Sequence, residues 1–261
     1  MLHFEKLGTN SKPVWVFLHA FPLDSQMWHP QMKALSALDL QVILIDLPGF
    51  GKSPLLEKPS METMATEVAK VLDTLKIKRA SFVGLSMGGY VIFNLYRLFP
   101  EKISALVLCD TTPAADSEER KQMRLELIEQ INLKGTEVLV EKTLPNLVST
   151  QTLHNNPLLM KWLKEKFLNV KPKAATSALK AMAERKDHFE ILPKINVPTL
   201  LIFGEEDKAT SLEIAEKINS SIPDSSLKKI KNAGHYSNLE KPEDFNSTLT
   251  EFIKKILKLG K

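Results

Sequence analysis

The sequence predicts an α/β protein with a doubly wound, mostly parallel sheet and an inserted helical cap. Three observations lead to this prediction: short continuous apolar runs, amphipathic segments between them, and one long stretch that contains no strand candidate. Continuous apolar runs suit strands that are buried on both faces, as in a parallel sheet. Strands and helices in alternation imply right-handed crossovers.

Five apolar runs are the predicted buried strands. They are VWVFL (14–18), QVILID (41–46), ASFVG (80–84), ISALVLCD (103–110) and PTLLIFG (198–204). The more polar SLKKI (226–230) is expected nearer an edge, and HFEKLG (3–8) is expected to open the sheet as an antiparallel strand. Amphipathic helices are predicted at 60–75, with Ser60 as its N-cap, and at 242–257, with Pro242 in its first turn.

The stretch from 113 to 187 breaks this alternation. Four helices are predicted there, at 117–131, 136–143, 157–170 and 173–185, and prolines separate them. An insertion at this point would lie above the carboxyl edge of the sheet, where ligands bind in such folds. We therefore predict a core formed by residues 1–112 and 188–261, with a helical cap at 113–187.

Composition excludes several classes of protein. The hydrophobic share of 43% and the charged share of 25% are ordinary for a globular protein, and a net charge of +4 is too weak to argue for nucleic acid. The single cysteine, Cys109, excludes an internal disulfide and fits a reducing compartment. Neither a signal peptide nor an apolar stretch of ~18 residues is visible. The expectation is a cytoplasmic protein without a membrane or nucleic-acid partner.

Ser86 lies in the run Gly-Leu-Ser-Met-Gly, between a strand candidate and a helix candidate. A sharp strand-to-helix turn strains its central residue and lifts the side chain clear of the sheet. Gly84 and Gly88 stand where a side chain would clash with the crossing backbones. The following helix N-terminus favours an oxyanion. The alternative is a serine that only caps the helix.

A serine nucleophile needs a base, and the base needs a carboxylate to orient it. His235 follows the last strand candidate, and Asp207 follows the strand at 198–204, so both are expected at the carboxyl edge of the sheet. The order Ser86, Asp207, His235 is the one expected for a serine hydrolase of this topology. The alternative acids are Asp110, Glu205 and Glu206.

These motifs together resemble the α/β-hydrolase superfamily over nearly the whole chain. The matching stretches are FLHAFPLDSQMW (17–28), DLPGFGKS (46–53), VGLSMGG (83–89), LVLCDTTP (106–113), IFGEEDK (202–208) and NAGHYSNLEKPEDF (232–245). The pattern is similar to that of small capped esterases and lactonases, such as 3-oxoadipate enol-lactonases, pimeloyl-ACP methyl ester esterases and cofactor-free haloperoxidases or perhydrolases.

The resemblance implies an oxyanion hole. His19-Ala20-Phe21 matches the His-Gly-x turn of the family, so the N–H of Phe21 is expected to act together with that of Met87. Ala20 departs from the usual Gly, which would cost roughly 1 kcal/mol if that position needs a positive φ. We expect His19 to brace this turn and to take no part in catalysis.

The expected reaction is hydrolysis of a small-molecule carboxylic ester or lactone through an acyl-enzyme on Ser86. Trp28, Trp162 and Phe167 are expected to line an apolar substrate pocket, with core packing as the alternative. Neither a cofactor nor a metal site is expected, because the sequence has one cysteine, no HExxH and no clustered carboxylates at ligand spacing.

Other interpretations stay open. A receptor or signalling protein on the same fold would turn over slowly and recruit a partner through the cap. Cleavage of C–C bonds and perhydrolysis use the same three residues. The later cap helices are rich in lysine, which suits an acidic carrier protein or an anionic substrate, against the alternative of a solvated face.

Overall fold

A seven-stranded sheet forms the centre of the protein in the computed structural model, which describes residues 1–8 and 13–259. The sheet order is β1-β3-β2-β4-β5-β6-β7. The antiparallel pair is β1 with β3, and the other neighbouring pairs are parallel. The predicted doubly wound, mostly parallel sheet is therefore confirmed. The strands are β1 (Phe4–Gly8), β2 (Val14–Leu18), β3 (Gln41–Ile45), β4 (Ala80–Leu85), β5 (Ile103–Cys109), β6 (Thr199–Gly204) and β7 (Ser225–Ile230).

Burial of the strands follows their composition. Every residue of β2, β3, β4 and β6 is buried, as continuous apolar runs predict. The two edge strands, β1 and β7, are partly exposed and are the two that the sequence predicts near an edge or as an antiparallel addition.

Helices connect the strands and pack beside them. The helix α2 begins after Ser60, whose side chain accepts a hydrogen bond from Thr63 N, as expected for an N-cap. Among these helices, α2 packs against α3, and α1 packs against α11. The helices are α1 (His29–Leu35), α2 (Met61–Thr74), α3 (Met87–Leu98), α4 (Glu118–Lys134), α5 (Glu137–Lys142), α6 (Thr150–Asn155), α7 (Pro157–Leu168), α8 (Pro172–Ala183), α9 (Leu212–Ser221), α10 (Ser237–Glu240) and α11 (Pro242–Leu259). None of the described helices is long and apolar enough to cross a bilayer.

Residues 113–187, here called the helical insertion, carry α4 to α8 between β5 and β6. Four of these helices correspond to the predicted ones. The fifth, α6, has six residues, too few to show a helical period in the sequence. Contacts between α4 and α8, α4 and α5, and α5 and α7 make the insertion a packed unit.

An ion-pair cluster lies inside the insertion. Asp116 is buried, with Arg124 Nε 2.5 Å from one carboxylate oxygen and Arg185 Nη1 2.6 Å from the other. Burial by itself raises the pKa of Asp116, but the hydrogen bonds and charges of Arg124 and Arg185 outweigh it and hold the pKa below its usual value. Arg185 also lies over the ring of Tyr90 on α3, 4.3 Å from its centroid, and so connects the insertion to the core.

Candidate active site

Ser86 occupies the turn between β4 and α3 with a φ of 53° and a ψ of −110°. A positive φ is uncommon for a residue with a side chain and stores backbone strain. Three hydrogen bonds hold this conformation: Ser86 N donates to Cys109 O at 2.9 Å, and Ser86 O accepts from Tyr90 N at 3.1 Å and from Thr111 Oγ1 at 2.8 Å. The sharp strand-to-helix turn expected from the sequence is present.

Two glycines make room for this turn. A Cβ at Gly84 would lie 2.7 Å from the carbonyl carbon of Gly88, and a Cβ at Gly88 would lie 2.3 Å from the carbonyl oxygen of Leu18. Both separations are below the 3.0 Å that real Cβ atoms keep from such neighbours. The close approach of neighbouring backbone atoms therefore excludes residues larger than glycine at both positions.

Asp207 and His235 meet at the carboxyl edge of the sheet. Asp207 lies in the loop after β6, His235 lies between β7 and α10, and His235 Nδ1 is 2.8 Å from Asp207 Oδ2. The exposed fractions of the two side chains are 0% for Asp207 and 4% for His235, so their attraction is little screened by water.

The hydrogen bonds around Asp207 favour its ionised form. Burial raises the pKa of Asp207, but the charge of His235 and the hydrogen bonds from His235, the Thr210 hydroxyl and Ala209 N outweigh burial, and the pKa lies below its usual value. An ionised carboxylate at Nδ1 keeps the proton of a neutral imidazole on that nitrogen and leaves Nε2 basic.

The alternative acid Asp110 has different partners. Its Oδ1 accepts from Gly204 N at 2.7 Å, and its Oδ2 accepts from the hydroxyl of Ser237. Burial first, and then the charge of Asp207, raises the pKa of Asp110 well above its usual range. The structure thus brings Asp207, and not Asp110, to the ring of His235.

His19 braces the turn after β2. Its Nε2 accepts from Leu47 N at 2.8 Å, and its Nδ1 lies 3.0 Å from Ala20 O. Burial lowers the pKa of His19, which suits the neutral ring that this pair of bonds requires. Among the described residues, a positive φ at a non-glycine position occurs at Lys76, Ser86, Asp110 and Asn232, so Ala20 replaces the family glycine without that strain.

A cavity of about 360 Å³ lies between the core and the helical insertion, and both Ser86 and His235 line it. The core contributes Phe21 as well, whose carbonyl accepts from the Tyr236 hydroxyl at 3.0 Å. Met87, the first residue of α3, is fully buried next to Ser86. Further apolar lining from the insertion comes from Leu127, Leu147, Leu179 and Met182.

The three aromatic residues expected in the pocket lie elsewhere. Trp28 is fully buried and packs edge-on against Phe17, with ring centroids 5.3 Å apart. Phe167 is also fully buried. The ammonium group of Lys166 lies over the ring of Trp162, with Nζ 5.5 Å from the ring centroid. None of the three lines the cavity. The expectation is corrected, because packing against neighbouring side chains occupies these rings.

Several cavity residues were not identified from the sequence. Tyr90 on α3 and Arg120 and Arg124 on α4 line the cavity. The arginines stand four residues apart, which places them on one helix face, and this spacing is the signal that could have found them. In the lysine-rich stretch, Lys166 pairs with Asp24 at 2.7 Å and Arg185 with buried Asp116, so these two cations belong to ion pairs and not to an open basic face. No cluster of three or more His, Cys, Asp or Glu among the described side chains is suited to a metal ion.

Comparison with known proteins agrees with this architecture. The 3-oxoadipate enol-lactonase 1 of Acinetobacter baylyi is 28% identical over 249 residues, which cover 95% of this chain and 91% of that protein. A thermophilic esterase from Thermogutta terrifontis superposes with a TM-score of 0.93 at 33% identity, covering 98% of this chain and 93% of the esterase. The enol-lactonase of Burkholderia xenovorans LB400 superposes with a TM-score of 0.90 at 27% identity, covering 97% of this chain and 96% of the enol-lactonase. Residues 13–242 match the family model of the alpha/beta hydrolase fold, and the chain belongs to that family.

Proposed function

We propose that this protein is a serine hydrolase that cleaves a small-molecule carboxylic ester or lactone through an acyl-enzyme on Ser86. The observation that carries the proposal is the buried hydrogen bond between His235 and Asp207 beside a cavity that Ser86 also lines. The similarity to esterases and enol-lactonases supports an ester or lactone carbonyl as the reacting group.

In the first half of the reaction, Ser86 Oγ attacks the carbonyl carbon and His235 Nε2 takes the serine proton. Asp207 stabilises the imidazolium that forms, since its carboxylate stays ionised beside Nδ1. His235 then protonates the leaving alcohol oxygen, which departs and leaves the acyl group on Ser86.

The negative oxygen of the tetrahedral intermediate needs donors. We assign the backbone N–H groups of Phe21 and Met87 to this role. Met87 N opens α3, where the first helical N–H groups have no partner within the helix. One such donor is worth on the order of 10²–10³ in rate.

Water completes the cycle. His235 takes a proton from a water molecule that attacks the acyl-enzyme, and Ser86 leaves with its proton restored. The helical insertion is assigned the role of a cap that limits water around the reacting atoms. Its boundaries, residues 113 and 187, are supported by the hydrogen bond of His188 N to Pro113 O at 2.8 Å, which brings its two ends together.

Turnover of p-nitrophenyl acetate, butyrate and octanoate tests the proposal. We expect wild-type activity that falls about 10⁴-fold or more in Ser86→Ala, and labelling of Ser86 by a fluorophosphonate, located by mass spectrometry. Ser220→Ala, an exposed serine on α9, is the matched control and should keep full activity. Equal rates in wild type and Ser86→Ala would overturn the proposal, and a single slow burst would favour the receptor alternative.

A further inference from the structure

Cationic side chains surround the cavity that Ser86 lines. Among the described residues, Arg120, Arg124, Lys142 and Lys208 line it, against one carboxylate, Glu126. They come from both sides of the cavity, because α4 and α5 carry three of them and the loop of Asp207 carries Lys208. The cavity therefore has an excess of positive charge next to the reacting serine.

Two of these cations are held in fixed positions. Arg124 Nε bonds to Asp116 at 2.5 Å, and Arg120 Nη2 donates to Ala209 O at 2.8 Å. Asp116 cannot neutralise both, since Arg185 binds the same carboxylate at 2.6 Å and Arg120 Nε stands 3.8 Å from it. One buried carboxylate thus serves three guanidinium groups.

Each arginine keeps donors for a ligand. A guanidinium group has five N–H donors. The described contacts of Arg124 engage Nε and Nη1, the latter 3.6 Å from Met182 Sδ, and those of Arg120 engage Nε and Nη2. Nη2 of Arg124 and Nη1 of Arg120 stay available. One free terminal nitrogen from each arginine can donate to an oxygen of a carboxylate, in charge-assisted hydrogen bonds.

The remaining charges of the cavity do not cancel this excess. Glu126 is exposed, and its Oε1 accepts from Gln122 at 3.2 Å. Lys142 and Lys208 are exposed, where they can attract an anion from solution and raise its rate of entry. Apolar side chains line the same cavity, among them Leu127 and Leu147.

We propose that the substrate carries a carboxylate in addition to its ester or lactone carbonyl. Arg120 and Arg124 bind that carboxylate, the apolar lining contacts a short hydrocarbon chain, and the carbonyl lies at Ser86. A half-ester of an aliphatic dicarboxylic acid, or a lactone with a carboxylate side chain, has this chemistry. The inference rests on the proposed function and names the substrate class for the same site.

A pair of matched esters tests the proposal. p-Nitrophenyl hydrogen adipate and p-nitrophenyl methyl adipate share the leaving group and acyl chain and differ in the charge of the far end. We expect kcat/KM to be at least about tenfold higher for the acid, mainly through KM, with a preference that shrinks at high salt. Spontaneous hydrolysis is subtracted with Ser86→Ala.

Variants on α4 locate the effect. Arg120→Gln and Arg124→Gln should bring the two esters close to equal kcat/KM. Arg124→Lys keeps the charge but has one nitrogen to serve both Asp116 and the ligand, so it should retain part of the preference. The control Lys121→Gln removes the same charge from the same helix outside the cavity lining, where Lys121 pairs with Glu118 at 2.6 Å, and should keep the wild-type preference. A thermal melt of each variant verifies folding.

The outcomes separate this inference from the proposed function. Equal kcat/KM for the two esters, with activity that depends on Ser86, would overturn the carboxylate inference and leave the hydrolase proposal standing. If neither adipate ester is cleaved while the p-nitrophenyl alkanoates are, the carboxylate inference is overturned. If none of these esters is cleaved, the hydrolase proposal fails, and adipate binding measured by calorimetry on the wild-type protein decides the anion site. Binding that disappears in Arg124→Gln supports that site, and absence of binding overturns it.

Discussion

The buried carboxylate of Glu240 accepts a hydrogen bond from the backbone N–H of Ser149 at 2.7 Å. Its other oxygen accepts from Gly234 N at 2.9 Å, directly before His235. Ser149 lies in the helical insertion, and Leu147 O accepts from His235 N at 3.1 Å beside it. The carboxylate of Glu240 and one backbone hydrogen bond thus join the insertion to the loop that carries His235, the proposed base.

Replacing Glu240 tests this connection. In Glu240→Gln the amide NH₂ faces a backbone donor, so one buried N–H loses its acceptor, and we expect the free energy of unfolding to fall by about 1–3 kcal/mol. Because the loop of His235 loses a support, kcat should fall more than KM changes. Denaturant unfolding and ester kinetics measure both, and Glu205→Gln, exposed in the neighbouring acid loop, is the control. An unchanged kcat in a destabilised Glu240→Gln would show that the bond has only a stabilising role.

The two carboxylates at the edge of the sheet should respond differently to the same substitution. Asp207→Asn removes the charge at Nδ1 of His235 and should lower kcat at pH 7 by about 10³–10⁴-fold. Asp110→Asn keeps an acceptor for Gly204 N and should retain activity within about threefold, because the raised pKa of Asp110 makes an uncharged side chain compatible with its site. Steady-state kinetics of the two variants give the answer, and a larger loss in Asp110→Asn would reassign the acid.

Backbone strain at Ser86 predicts that glycine is more stable than alanine at this position. Glycine tolerates a φ of 53°, so Ser86→Gly should be more stable than Ser86→Ala by about 1 kcal/mol. Both variants lack the nucleophile and should be inactive. Urea unfolding of the pair isolates the backbone effect, since both remove the hydroxyl. A Ser86→Ala protein of equal or greater stability would contradict the strain.

Acid should destabilise the protein through His188. This residue is buried, and both of its ring nitrogens lack a hydrogen-bond partner among the described residues. Burial first, and then the charge of Arg97, lowers its pKa from 6.5, with Lys186 acting in the same direction and Asp187 and Glu190 against it. The unfolded chain therefore binds the proton more readily, so stability present above about pH 6.5 is lost as the pH falls toward the lowered folded-state pKa.

The variant His188→Leu removes this group and leaves a side chain of similar size. We expect its melting temperature at pH 7.5 to equal or exceed that of the wild type, because no hydrogen bond is lost. Between pH 7.5 and pH 5.5 its melting temperature should fall less than that of the wild type. His154→Gln, at an exposed histidine, should behave as the wild type. Equal losses in His188→Leu and the wild type would contradict the assignment to His188.

Patterns among residues close together in the sequence made the sheet and the turn at Ser86 predictable. Continuous apolar runs indicated β2 to β6, since such runs suit strands that are covered on both faces. Gly84 and Gly88 marked the sharp turn because a side chain at either position meets backbone atoms. The chain order of Ser86, Asp207 and His235 then pointed to one edge of the sheet.

Contacts between distant parts of the chain decided the rest. Asp110 and Asp207 follow neighbouring strands, and only their three-dimensional positions select Asp207 as the partner of His235. The same holds for Trp28, whose ring packs in the core, and for Arg124, which lines the cavity. Sequence alone determined the strands, four of the five helices in the insertion and the strained turn at Ser86, because these depend on neighbours a few positions away. The tertiary structure decided which side chains meet at the cavity, because burial and electrostatics there depend on residues that are as many as 215 positions apart in the chain.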